Sequence, residues 1–466
     1  MMAINALQRV GDETAALLDP DEAVRMQRLD VFVVGLDDFH RRQLETLPRA
    51  RECRLHGLFS PSEVKESPAA MRRLLNEGVR RLQNAPDGVD AVVGYWDFPV
   101  SLALPLMRQA LGLSGPSLTS VLACEHKYWS RLEQSRVAPE HVPAFCPIDP
   151  FADDPLLQLT LDFPIWLKPI KSSVSCLGFR VDDREQFRRA IAATRRGIGR
   201  LASAFNLVFN RAEVPREVAV VDGYHCIAES LISAGAQCTL EGYVHRGEVY
   251  IYGTVDSHRE GPAGSCFSRY QYPSELPGPV QARMANLARQ IMSRIGYDEA
   301  PFNMEFYWDA DGDRIWVLEI NTRISKSHAP LFHLVDGRYH HEVMVALGLG
   351  RRPDMPQRQG RFGCAAKFMI RHYVDAVVTR VPLAAELAMI EARYPEVIVS
   401  VAVRRGTQLS KMQNQDSYSF ELATVFVGAD DRAALEAKFR QVCAELRFEF
   451  VAASDPRDPP GSRLEV

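Results

Sequence analysis

The sequence lacks the features that define disulfide-stapled, zinc-binding or membrane-spanning proteins. Its nine cysteines are odd in number and widely spaced, and none forms a C-x-x-C pair, which argues against a disulfide framework and a structural zinc site. No apolar run approaches the roughly 20 residues that span a bilayer. The N-terminal segment carries acids where a secretory signal needs a long apolar stretch. We therefore expect a cytoplasmic protein with no membrane partner.

A basic excess is also missing. The formal net charge is -4, so no general affinity for nucleic acid is predicted. Hydrophobic residues make up 46% and charged residues 24%, which is typical of globular proteins. The 466 residues exceed what one hydrophobic core ordinarily serves, so we expect several domains.

The first ~120 residues alternate between strand and helix signals. Short apolar runs at 29–36, 54–59 and 89–94 are typical of buried strands, and 69–83 has apolar positions at helical spacing. This alternation predicts an open α/β domain. No G-x-G-x-x-G follows the first strand, so a dinucleotide site has no fingerprint here.

Hairpins and helices are predicted for the remainder. Hairpin signals cover 163–182, 238–255 and 301–320, the last turning at the sequence DADGD. Helix signals cover 120–137, with Ser120 as its N-cap, then 183–196 and 279–296. The sequence PQRQGRFG indicates a linker, after which short strands alternate with helices.

Two carboxylates and a carboxamide mark the most informative segment. Alternate residues of a strand share a face, so Glu319, Asn321 and Arg323 point the same way. The DADGD turn brings Glu305 opposite Glu319, or nearly so. The two carboxylates would repel each other unless a cation lay between them, and oxygen ligands suit Mg²⁺. Arg323 suits a phosphoryl oxygen or a developing oxyanion. The alternative is a solvated sheet face with an ordinary cross-strand ion pair.

The remaining candidate residues have two interpretations each. Lys127 and Lys168 could reach nucleotide phosphates, or could be lysines whose stems cover apolar surface. Glu229 begins a short strand whose backbone could pair with an adenine edge. In the polar segment 254–273, His258 could be a general base and Arg269 a carboxylate anchor. A solvated surface loop is the second interpretation of this segment.

Taken in order, these residues resemble the ATP-grasp superfamily, closest to its carboxylate–amine ligase and biotin-carboxylase-like branch. The residues that carry the resemblance are Lys127, K-P at 168–169, E-S-L-I at 229–232, Glu305 and E-I-N-T-R at 319–323. The resemblance implies an α/β and α+β multidomain chain with an ATP-grasp fold. Its implied parts are an N-terminal α/β domain at 1–120, an ATP-grasp domain at 121–358 and a C-terminal α+β domain at 359–466. Within the second, a mobile lid would span about 160–232 and a catalytic core about 233–358.

The same resemblance implies the ligands. ATP phosphates would contact Lys127, Lys168 and the serine-rich loop that includes Ser175. Adenine would lie against Glu229, Ser230 and the backbone near Ile232, and ribose near Gln237 or Glu241. Glu305, Glu319 and Asn321 would bind two Mg²⁺ ions, with Mn²⁺ as a substitute. Arg323 would stabilise an acyl phosphate and the tetrahedral intermediate that follows it.

The implied reaction activates a carboxylate as an acyl phosphate and joins it to an amine, releasing ADP and phosphate. The implied substrates are small molecules such as amino acids, and dimers are frequent in the family. One alternative is a biotin-carboxylase-like carboxylase. Ser327 stands where that pattern has its glutamate base, with His328 next, which disfavours bicarbonate. Ser327 and His328 are candidate substrate contacts, although His328 could merely face solvent. A non-catalytic nucleotide-binding protein on this fold and an enzyme that modifies a protein tail are also compatible with these residues.

Overall fold

A computed structural model of the chain describes residues 28–65, 67–172, 177–232, 235–261, 266–412 and 419–453. The strands are β1 (Leu29–Val34), β2 (Cys53–Leu58), β3 (Ala91–Gly94), β4 (Phe145–Ile148), β5 (Ile165–Pro169), β6 (Phe179–Val181), β7 (Cys226–Ser230), β8 (Ala236–His245), β9 (Glu248–Glu260), β10 (Cys266–Tyr272), β11 (Ala300–Asp309), β12 (Arg314–Asn321), β13 (Cys364–His372), β14 (Ala376–Arg380), β15 (Ile398–Val401), β16 (Phe420–Ala429) and β17 (Glu449–Ala452).

The α-helices are α1 (Asp38–Glu45), α2 (Pro68–Arg73), α3 (Val79–Gln83), α4 (Val100–Ala110), α5 (Leu118–Glu125), α6 (Lys127–Val137), α7 (Arg184–Gly197), α8 (Gly199–Phe209), α9 (Arg216–Ala219), α10 (Gly278–Ile295), α11 (Ala329–Asp336), α12 (His341–Gly348), α13 (Ala384–Arg393) and α14 (Arg432–Glu445). A π-helical turn, Leu74–Gly78, joins α2 to α3. In the part of the chain that the structure describes, no helix is both long and apolar enough to cross a membrane.

The N-terminal sheet is parallel, in the order β2-β1-β3, as the alternation of strand and helix signals predicts. Its central strand is buried on both faces, which explains the continuous apolar run. The carboxyl ends of β1 and β3 meet at one edge. There Gly35, at φ +72°, leaves room for the indole of Trp96, whose Nε1 donates to the Gly35 carbonyl oxygen at 2.7 Å. This contact holds the loop after β3 at the sheet edge.

A four-stranded antiparallel sheet, β4-β7-β5-β6, forms the region expected to be a lid. The predicted hairpin over 163–182 is confirmed by the pairing of β5 with β6. Apolar side chains of the sheet pack against α7, as Ile165 and Leu167 do beside Phe187 and Ile191. The apolar side chains of α7, which recur at helical spacing, therefore pack on one face of this sheet.

The largest sheet has eight strands in the order β12-β11-β8-β9-β10-β13-β16-β15. Neighbouring strands are antiparallel throughout. Strands from after residue 359 therefore extend the central sheet, and one polar face runs from β12 to β13. The predicted domain boundaries stay predictions.

The single helix predicted over 120–137 is wrong in one respect. Two helices, α5 and α6, occupy this range, and Ser117 rather than Ser120 caps the first. The break falls at His126, where the backbone is extended (φ −81°, ψ 102°). The His126 ring lies within hydrogen-bond distance of the Val221 carbonyl oxygen, 2.7 Å away, and its other nitrogen accepts from the Trp129 amide. These contacts start α6 at Lys127.

Candidate functional site

The acidic face predicted near residues 305 and 319–321 is present. In the β11–β12 hairpin Glu305 lies directly opposite Glu319, and Asn303 opposite Asn321. The register shifts immediately after Glu305, so β12 bulges beside the two carboxylates. The Asn321 amide nitrogen donates to the Asn303 side-chain oxygen at 3.0 Å, which fixes the orientation of the carboxamide.

The electrostatics of this face fit a cation. Burial, reinforced by repulsion from Glu319, raises the pKa of Glu305 to about 7. A bound divalent cation would remove that repulsion. Among the described residues no group of three or more His, Cys, Asp or Glu side chains makes a metal cage. Two carboxylates and an amide oxygen suit an ion such as Mg²⁺, which takes the rest of its shell from water and phosphate.

Lysines surround the acidic face. The Lys127 ammonium lies 2.8 Å from Glu319, whose side chain is 36% exposed and so remains accessible to a ligand. Burial opposes ionisation of Glu319, but Lys127, with Lys171 and Lys168, outweighs it and lowers the carboxyl pKa. Lys171 lies 2.8 Å from buried Glu125 and is fixed there. Terminal phosphates would therefore meet positive charge beside the metal ligands.

The hinge before β8 holds a buried ionic triad. Glu229 on β7 accepts from Arg131 at 2.7 Å and lies 2.8 Å from the Lys168 ammonium. Burial alone would raise the pKa of Glu229, but Arg131 and Lys168 bring it down to about 2. The Glu229 carboxylate is thus already engaged, and the Ser230 amide donates to the Ala144 carbonyl oxygen at 2.8 Å. Adenine contacts by these residues and by Ile232 stay predictions, while Ser175 lies outside the described residues.

Arg323 connects the acidic face to the N-terminal sheet. Its Nη2 donates to Asp97, just after β3, at 3.0 Å and approaches the Asn321 side-chain oxygen at 3.4 Å. Burial disfavours the charged guanidinium, but Asp97 more than offsets this and raises the pKa of Arg323. The guanidinium therefore stays charged and is held beside Asn321, one of the predicted metal ligands.

The structure corrects the assignment of His258 and Arg269. These two residues pair with each other across β9 and β10 and point away from the acidic face. Arg269 donates to Glu436 on α14 at 3.1 Å, and burial, with Arg269 beside it, lowers the pKa of His258. Their sequence neighbours, Arg259 and Tyr270, lie on the site side instead, because side chains alternate along a strand.

Arg259 is linked to the acidic face by a single residue, Gln237. Its Nε donates to the Gln237 side-chain oxygen at 2.9 Å, and Gln237 in turn donates to Glu305 at 3.1 Å. Gln237, predicted near ribose, therefore contacts a carboxylate that is predicted to bind the metal. The sequence does not indicate Arg259, because its position near Gln237 depends on how β8 pairs with β9. In that pairing Gln237 lies opposite Ser257, which shares a strand face with Arg259.

The ribose contact suggested for Glu241 does not fit the structure. The Glu241 side chain is 0% exposed and lies 2.8 Å from Nδ1 of His328, which is itself buried. His328 is therefore not placed to contact a substrate either, because its Nδ1 lies within hydrogen-bond distance of the buried Glu241 carboxylate. Ser327, its neighbour, stands on the accessible side, where its hydroxyl lies 3.2 Å from the Lys367 ammonium.

Several functional candidates were not found from the sequence. They are Asp97, Glu125, Arg131, Lys171, Arg259 and Lys367. Only Asp97 has a usable signal, because it follows a parallel strand at the sheet's carboxyl edge, where ligands commonly bind. The others come from separate elements, and their proximity depends on the tertiary fold.

Comparison with known proteins identifies the class. Residues 161–329 match the family model of the ATP-grasp domain. The fold is similar to that of an L-amino acid ligase from Bacillus licheniformis (16% identity, TM-score 0.64), with 92% of this chain and 100% of that chain covered. The chain therefore contains a segment that matches the ATP-grasp domain and has the ATP-grasp fold, as the resemblance seen in the sequence implies.

Two further structures illustrate the breadth of the fold. Biotin carboxylase from Campylobacter jejuni is 14% identical, with TM-score 0.62 and coverage of 92% of this chain and 93% of that chain. Carboxyaminoimidazole ribonucleotide synthase from Aspergillus clavatus is 15% identical, with TM-score 0.61 and coverage of 90% of this chain and 98% of that chain. Comparison with functionally curated protein sequences yields no match.

Proposed function

We propose that this protein is an ATP-dependent carboxylate–amine ligase that forms an amide or peptide bond between small molecules. The observation that carries the proposal is the carboxylate pair Glu305 and Glu319, held opposite each other beside Asn321. Lysines and Arg323 surround this pair, which supports a site for MgATP and an acyl phosphate. The ATP-grasp family match supports an enzyme of the ligase class.

Each residue has a role that follows from its position. Glu305, Glu319 and Asn321 would hold Mg²⁺, which neutralises charge on the transferring phosphoryl group. Lys127 would exchange its contact with Glu319 for one with phosphate oxygens. Arg323, already oriented by Asp97, would donate to the substrate carboxylate and to the oxyanion that develops later.

The chemistry balances in two steps. A carboxylate oxygen attacks the γ-phosphorus of ATP, the bond to the bridging oxygen breaks, and ADP leaves. The amine then attacks the carbonyl carbon of the acyl phosphate, inorganic phosphate leaves, and the amine nitrogen loses a proton. The acyl phosphate would hydrolyse if water reached it, so closure of the sheet that carries Lys168 over the site would protect it.

The environment of Ser327 favours this function over a bicarbonate-using carboxylase. Its hydroxyl lies 3.2 Å from Lys367, and the nearby Glu241 is buried against His328. A base for bicarbonate would need an accessible carboxylate at this point. Of the described residues, none supplies one at this position.

The test is a matrix of carboxylic acids and amines, assayed for ADP release, with product masses measured. We expect ADP to form only when an acid is present and an amide to form when a matched amine is added. ADP release that depends on bicarbonate alone would support the carboxylase alternative. The absence of ATP binding would contradict the proposal altogether.

A further inference from the structure

Two lysines flank Ser327 beside the proposed acyl phosphate site. Lys326 precedes it in the short turn Lys326–His328, and Lys367 reaches it from β13, with its ammonium 3.2 Å from the Ser327 hydroxyl. We call Lys326 and Lys367 the lysine pair. They come from different parts of the chain and meet on the same polar face that carries Glu305 and Tyr270.

Lys326 has an aromatic ring below it, and no carboxylate of the described residues lies within salt-bridge distance of its ammonium. Its ammonium lies 3.3 Å from the centroid of the Trp96 ring. Burial, and then repulsion from Arg323 and Lys367, lower the pKa of Lys326 to about 8, although the charges of Asp37 and Asp97 oppose this effect. The charge on this ammonium is therefore only partly compensated.

The charge of the Lys367 ammonium is also only partly compensated. Burial lowers its pKa, and Arg371 adds to that effect while Glu421 opposes it. Across the residues for which the structure gives a placement, no carboxylate lies within 4.0 Å of either ammonium of the lysine pair. Half-buried ammonium groups that contact no carboxylate are costly, so such an arrangement is typical of a site that receives an anion.

The contrast with other cations of the site decides the argument. Four other cations near the site each contact a carboxylate: Lys127 with Glu319, Lys168 with Glu229, Lys171 with Glu125, and Arg323 with Asp97. The fold therefore compensates cations in this region as a rule. The lysine pair departs from that rule beside Arg323, where the substrate carboxylate is expected.

We propose that the lysine pair binds a second anionic group of the carboxylate substrate, so that the acid activated by this protein is a dicarboxylic acid or an acidic amino acid. This inference depends on the proposed function. One carboxylate would lie at Arg323, beside Glu319 and Asn321, and become the acyl phosphate. The other would be held by Lys326 and Lys367, with Trp96 and Tyr270 as walls.

The test compares each diacid with its own monoamide. Succinate, glutarate, adipate, aspartate and glutamate would be paired with their monoamides, and phosphoserine would be added to distinguish a phosphate-bearing substrate. Binding is measured first, as the thermal shift that each acid produces in the presence of MgADP. Turnover is measured separately, as ADP release from MgATP. Binding without turnover would contradict the proposed function but not the anion site.

The variants are Lys326→Met and Lys367→Met, with exposed Lys65→Met as a control. We expect at least one diacid to exceed its monoamide by roughly tenfold or more in affinity or kcat/KM, because charged partners are lost in the monoamide. Either lysine variant should abolish that preference while the monoamide value changes little. Tm without ligand reports whether the variants fold.

Two results would overturn the proposal. One is that no diacid is preferred to its monoamide by the wild-type protein. The other is that the preference survives in both lysine variants. A preference for phosphoserine over every diacid would show that the anion is a phosphate and would contradict the assignment to a dicarboxylic acid.

Discussion

Glu305 lies directly opposite Glu319 across the β11–β12 pair, and Lys127 contacts only the second of these carboxylates. The consequence is two carboxyl groups with different acidities in one site. Burial and Glu319 raise the pKa of Glu305 to about 7, whereas Lys127 outweighs burial and lowers the pKa of Glu319. Glu319 therefore stays ionised to lower pH than Glu305, and a bound cation would favour ionisation of Glu305.

Replacing Glu319 with glutamine should abolish ATP turnover while the fold is retained. The substitution keeps the shape of the side chain but removes the charge that binds Mg²⁺, so we expect ADP release to fall by roughly 100-fold or more. Exposed Glu391→Gln is the matched control and should keep wild-type activity. Wild-type turnover in Glu319→Gln would refute the metal assignment.

Arg323→Ala should impair ligation more than ATP binding. The guanidinium touches Asp97 and Asn321, so its loss removes the charge beside the reacting carboxylate and leaves the nucleotide contacts in place. We expect kcat for amide formation to drop by roughly 100-fold, with Kd for MgATP changed by less than about threefold. Equilibrium binding of MgATP and product mass spectrometry separate the two effects. An equal loss of both would assign Arg323 to nucleotide binding.

The affinity for Mg²⁺ should fall as the pH drops below about 7. The folded pKa of Glu305 is raised above its ordinary value of 4.5 to about 7, so the metal-free protein takes up a proton there that the unfolded chain does not. Protonation of Glu305 therefore contributes to the stability of the folded protein at low pH, and this contribution is lost as pH rises from 4.5 through about 7. Bound Mg²⁺ should offset that loss. The thermal shift caused by MgADP should therefore increase from pH 6 to pH 8, and Glu305→Gln should remove this increase.

Neutralising Glu229 should destabilise the protein more than it affects chemistry at the metal. Arg131 and Lys168 would lose their buried counter-charge, and breaking such a group costs about 3–5 kcal/mol. The comparison is Glu217→Gln, whose exposed ion pair with Arg136 should contribute less than about 1 kcal/mol. Chemical denaturation of both variants measures the difference. Similar free energies of unfolding for the two would contradict the buried triad.

Arg259 and Arg269 offer a direct test of the sheet faces. Arg259 contacts Gln237, which contacts Glu305, so Arg259→Ala should raise the pKa of Glu305 further and lower turnover by roughly tenfold or more. Arg269 pairs with Glu436 on the opposite face, so Arg269→Ala should leave turnover unchanged. Steady-state ADP release measures both. Equal losses in the two variants would show that the faces are assigned wrongly.

The hairpin that carries the predicted metal ligands could be predicted because the residues that define it lie close together along the chain. The turn sequence DADGD and the alternation of side chains set the register, and the structure confirms that Glu305 faces Glu319. His258 and Arg269 were proposed instead from the polar composition of 254–273, which was interpreted as a loop, whereas the structure has His258 on β9 and Arg269 on β10. A shift of one residue moves a side chain to the other face.

The sequence by itself determined the ATP-grasp fold and the metal-ligand hairpin, because periodicity, turn residues and motif order act over short distances along the chain. Only the tertiary structure decided which charges meet, as Asp97 does with Arg323 and Glu229 with Lys168. Those contacts join residues far apart in sequence, and electrostatic interactions depend on distance and burial, which no local pattern encodes.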